Sequence, residues 1–108
     1  METAKKNLKE LQHLIELLDR EHLELCHVHL KKAVSLVERN FNSTDYPAKR
    51  IPGLNETIRA LDRDIKLKNQ SDRLYYGKLI ATSIRHLKEI HSALSEKYFH
   101  HQDDSMNQ

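Results

Sequence analysis

The sequence predicts a small all-α protein, an antiparallel helical bundle, and three observations carry that expectation. Only two Gly and two Pro occur in 108 residues, and Trp is absent. Charged residues make up 31% and hydrophobic residues 38% of the chain, the usage of a helical domain rather than a sheet protein. Apolar residues also recur at three- and four-residue steps over long stretches, which is the period of a helix with one buried face.

Residues 3–39 hold no Gly or Pro and read as one long helix, about 55 Å at the usual rise per residue. Its main apolar stripe is Leu8, Leu11, Ile15, Leu18, Leu25, Ala33 and Leu36. Leu17 and Val28 fall to one side of that stripe, and Leu23, Leu30 and Val34 to the other. So wide an arc exceeds what one antiparallel neighbour can bury. Two arrangements cover it: the helix breaks near "LDREH" and folds back as part of a four-helix bundle, or two chains pair through it. No Gly, Pro or Asn marks the break, and closed homodimers are the commonest oligomers, so the dimer is the favoured expectation.

The stretch 40–53, "NFNSTDYPAKRIPG", collects turn residues and is expected to be the one substantial loop. A second helix follows at about 54–68, with Leu54, Ile58, Leu61 and Ile65 in a narrow stripe. "NQS" makes a short turn, Ser71 is placed to cap the next helix, and that helix runs to about Phe99. Residues 1–99 therefore form a single domain, followed by a tail at 100–108 that is expected to be disordered. Gly77 lies inside the last helix at a cost of about 1 kcal/mol relative to Ala, and a close helix contact there would compensate.

Charge and cysteine content narrow the function classes. Basic and acidic residues stand at seven against seven in 1–39, six against four in 40–70 and five against five in 71–108, so no basic stripe suited to a phosphate backbone is present. Nucleic-acid binding is not expected. The lone Cys26 rules out an intramolecular disulfide and favours a reducing, cytoplasmic setting. Lys5, Lys6, Glu10, Glu16 and Asp19 interrupt the N-terminal region, which leaves no apolar run of signal or membrane-spanning length.

Two candidate sites remain. The segment "EHLELCHVHL", 21–30, sets three histidines around the cysteine. On a continuous helix, Asp19, His22, Cys26 and His29 would share one face, and donors three and four residues apart can ligate zinc or a similar ion. The competing reading makes His22 and His29 core histidines in the helical seam, with His13 and His27 solvated. Glu24 and His27 form the Glu-x-x-His element of di-iron bundles, but no second copy exists on the later helices. The other site is a protein-binding surface at the loop end, from Phe41, Tyr46, Lys49, Arg50, Tyr75 and Tyr76, because aromatic residues and Arg on loops are frequent interface anchors. Phe41 and Ile51 could equally tuck under the bundle end. The function expected is that of a non-enzymatic regulator without a cofactor, a homodimeric inhibitor, adaptor or chaperone that occludes a larger protein's surface. The alternative is a metal-binding or metal-sensing bundle.

Overall fold

The computed structural model describes the backbone of residues 2–19, 23–66 and 73–106, with side chains for 3–19, 25–63 and 76–99. These residues form four α-helices: α1 (Glu2–Leu18), α2 (Leu23–Asn40), α3 (Ile51–Lys66) and α4 (Arg73–Met106). A single 3-10 turn, Ala48–Arg50, leads into α3. There is no strand among the described residues. The bundle closes as a square in which α1 packs on α2 and α4, and α3 packs on α2 and α4.

Cross-helix contacts give the directions. His91 on α4 reaches the Leu8 carbonyl on α1, and Ile84 borders the same groove as Ile15, so α1 and α4 run antiparallel. His27 lies by Asp62, while Glu38 shares a groove with Asn55, so α2 and α3 are antiparallel too. Arg50 bonds Glu89 and Gly53 meets His86, which sets α3 against α4 in the same sense. This is an up-down-up-down bundle of the kind that short connections favour.

The long first helix of the sequence reading is thus two helices, and the favoured unbroken rod is corrected to the fold-back. The residues between them, "DREH", are the longest polar run in 3–39. Four successive polar positions leave no stripe for a neighbour to cover, and breaking there lets each half bury its own apolar face. Burial outweighs helix continuity, which no Gly or Pro is needed to interrupt. The over-wide apolar arc was the signature of two stripes at different phases. That arc no longer requires a second chain.

The α1 stripe is Leu8, Leu11, Leu14, Ile15 and Leu18, all buried. In α2 the buried set is Cys26, Leu30, Ala33, Val34 and Val37. Leu25, assigned to the main stripe on a continuous helix, is exposed once α2 takes its own phase. Leu54 and Leu61 in α3 and Leu87, Ile90 and Leu94 in α4 complete the interior.

Helix ends also move. α3 starts at Ile51, three residues before the expected start, because Pro52 in a first turn has no hydrogen bond to lose. α4 extends to Met106, past the expected helix end at about Phe99; "HHQDDSM" contains neither Gly nor Pro to stop it. At 34 residues α4 spans about 51 Å, which accounts for the 55 Å long axis of the molecule. Gly77 has no heavy atom within 4 Å of an added Cβ, so the close helix contact expected at Gly77 is absent. No described helix is long and apolar enough to cross a membrane.

Candidate interaction surface

On α2, positions 25, 28 and 32 turn away from the buried stripe of Cys26, Leu30, Ala33 and Val37, and His29 lies at the edge of that stripe. Two of them are large and apolar. Leu25 is 44% and Val28 42% exposed, and they are the exposed large hydrophobics among the described residues. His29 sits half-buried beside them, its Nδ1 shielded and without a hydrogen-bond partner, and Lys31 and Lys32 are exposed on the next turn. The face is therefore an apolar pair with an imidazole at its edge and two ammonium groups at one end.

The loop-end surface looks different from its expectation. Phe41, Tyr46 and Tyr76 belong to the hydrophobic core, at 8%, 8% and 4% exposure, and are corrected from surface anchors to interior residues. Phe41 and Tyr98 pack with ring centroids 5.6 Å apart and planes tilted by 59°, a favourable edge-on geometry. Burial, and then the carboxylate of Glu38, pushes the Tyr46 phenol above its ordinary pKa. Ile51 is also core. Arg50 is half-buried and occupied, its Nε donating to Glu89 Oε2 at 2.9 Å. Of the five described side chains Lys49 alone is exposed; the Tyr75 side chain lies outside the described residues.

The loop is fastened at a position that sequence reasoning missed. Asp45 Oδ2 accepts from the Tyr98 hydroxyl at 3.1 Å, and Asp45 Oδ1 stands 3.3 Å from Lys97 Nζ. Burial and the bond to Asp45 raise the Tyr98 pKa. These partners are 53 residues apart, and no local pattern announces such a pairing. The Asn40 amide closes the preceding helix by donating to the Leu36 carbonyl at 2.8 Å.

The metal constellation depended on a continuous helix. Asp19 is exposed in the turn after α1, and its backbone N–H donates to the Glu16 carbonyl, so it has left the register of α2. Cys26 is buried, and its thiol donates to the Leu18 carbonyl at 3.4 Å. His29, half-buried, stands three residues from Cys26 on the same helix but without Asp19 beside it, and His22 lies outside the described residues. Among the described residues no three His, Cys, Asp or Glu side chains gather to hold a metal ion. His91, the one outside ligand the sequence offered, is engaged elsewhere. Its Nε2 lies 3.1 Å from the Leu8 carbonyl and must carry the proton, leaving Nδ1 facing Ser95 Oγ at 3.5 Å.

His13 is exposed as expected, whereas His27 is buried and not solvated, 3.8 Å from Asp62 across the α2/α3 seam. On α2 alone, position 27 falls at the edge of the buried side beside Cys26 and Leu30, a placement hidden by the phase of the continuous helix. Comparison of the chain with protein-family models, curated proteins and solved structures gives no match.

Proposed function

We propose that this chain is a non-enzymatic protein-binding bundle that lays the outer face of α2 against a larger protein and covers part of its surface. The supporting observation is the exposure of Leu25 and Val28 in a chain whose other described large hydrophobics are at least partly buried. Scattered apolar residues are ordinary on a surface, but two on adjacent turns of one face, beside a shielded imidazole, form a small contiguous patch. Fully burying a Leu or Val side chain is worth about 1.5–3 kcal/mol. Since both are already more than half covered, the pair supplies only about 2 kcal/mol on binding. It is the nucleus of an interface whose remainder comes from flanking polar residues such as Lys31 and Lys32. The mechanism is steric and requires no cofactor. A second copy of the chain, paired α2 to α2, is the homodimeric form of the same reading.

The test is a Leu25→Lys, Val28→Lys double variant, compared with wild type by sedimentation and by capture of partners from the native host. The expected result is an unchanged melt with loss of the dimer, if the wild type forms one, or of the captured partner. A double variant that sediments and captures as the wild type does removes α2 from the reading.

A further inference from the structure

The end of α3 that begins at Ile51 is joined to α4 by a seam of unusual composition. The His86 ring lies against the first turn of α3 at ordinary contact range: a Cβ on Gly53 would stand 3.9 Å from both its Cδ2 and its Nε2. Its Nδ1 is shielded from solvent and has no hydrogen-bond partner. One turn along α4, Glu89 Oε2 takes the Nε proton of Arg50 at 2.9 Å, so the carboxylate nearest His86 is already engaged by a guanidinium.

We propose that His86 is an acid-sensitive latch: as a neutral ring it seals the first turn of α3 against α4, and its protonation releases residues 48–54 from α4. The electrostatics of the seam make the neutral ring the matching state. The 3-10 turn contributes Arg50, and α4 contributes Arg85, both cations that oppose a charged imidazole; Glu89, also on α4, favours it. From α3 the ring meets uncharged Gly53. A proton on Nδ1 would create a donor in a shielded place where no acceptor stands. Burial first, then Arg50, holds the His86 pKa below its ordinary value, in agreement with that geometry.

The linkage follows in sign. The opened segment lets His86 titrate near about 6.5, and the closed segment holds it lower. The open form therefore binds more protons between the two values. Closure is strongest above about pH 7 and weakens as pH falls through that window. The segment released carries Ile51 and adjoins the loop bearing Phe41 and Tyr46, so acid would uncover apolar side chains that are buried at neutral pH.

The experiment is NMR on the full chain, following the His86 ring protons and the Gly53 amide from pH 7.5 to 5.0, with hydrogen-exchange protection measured at both ends. The expected outcome is a His86 midpoint below that of a peptide histidine, a Gly53 shift with the same midpoint, and reduced protection at the amides of 51, 53 and 54. That loss reaches about tenfold for each unit separating the closed and open pKa values, while protection at 87–94 holds. His86→Gln should abolish the pH dependence at 51–54. Arg50→Gln, which removes the opposing cation and frees the Glu89 carboxylate, should move the His86 midpoint upward. A midpoint at or above 6.5, a Gly53 amide indifferent to His86 titration, or pH-dependent protection that survives in His86→Gln would each overturn the latch.

Discussion

The two helical hairpins of this bundle are held together by different physics. In the α1–α2 hairpin the seam is apolar, built from Leu11, Leu14, Ile15, Leu18, Leu30 and Val37, and a polar tie among the described residues near the turn is a thiol to a carbonyl. In the α3–α4 hairpin the stripe of α3 is narrow, with Ile51, Leu54 and Leu61 buried, and long polar side chains span the seam and the approaching loop. Arg50 holds Glu89, and Asp45 holds Tyr98 and Lys97. Apolar surface supplies free energy without direction, whereas hydrogen bonds supply little net energy but fix position. The first hairpin is therefore expected to carry stability and the second to carry register.

Mutations can break that contrast or sharpen it. Leu11, with no exposed surface, should be the most costly: Leu11→Ala is expected to lower unfolding free energy by about 2–5 kcal/mol in a denaturant titration. A loss under 1 kcal/mol would deny the first hairpin its role. Asp45→Ala comes next. The Asp45 side chain is 11% exposed and serves two partners, so removing it leaves the Tyr98 hydroxyl without its acceptor and should cost about 1–3 kcal/mol. The same change should return the Tyr98 pKa toward its ordinary value, readable by ultraviolet titration. Gly77→Ala should act in the opposite sense. Nothing obstructs the methyl group, and a thermal melt should show a gain of about 0.5–1 kcal/mol. The smallest effect is expected at the exposed face of α2, where Leu25→Lys with Val28→Lys should leave stability within about 0.5 kcal/mol. A large loss there would mean that α2 buries those residues within its own bundle.

The same division explains what could be read from the sequence. The all-α class and the apolar stripes of α1 and α3 follow from helical period, because a burial pattern is local and repeats. The break at residues 19–22 was visible only as a possibility. Its cause is the gain from folding one half of the segment on the other, which no local propensity reports. His27 and Leu25 were misplaced for that reason, since a phase error at the break rotates every later residue of α2. Tyr46 was mistaken for a surface anchor because its loop is fastened by Asp45 to residues 97 and 98, a pairing across half the chain that leaves no mark on the intervening sequence. The candidate surface on α2 could not have been chosen from the continuous helix, on which Leu25 belongs to the core stripe.

Cys26 is the chain's only thiol, and it is sealed at 2% exposure where α2 turns back on α1. A disulfide reagent can reach it only when that hairpin parts. Its labelling rate under native conditions is thus a clock for hairpin opening, readable without any engineered probe. When closing outpaces the reaction, the rate relative to an unfolded thiol gives the opening equilibrium directly. Leu11→Ala should quicken the clock strongly, Gly77→Ala should leave it unchanged or slower, and a partner seated on α2 should slow it in proportion to occupancy.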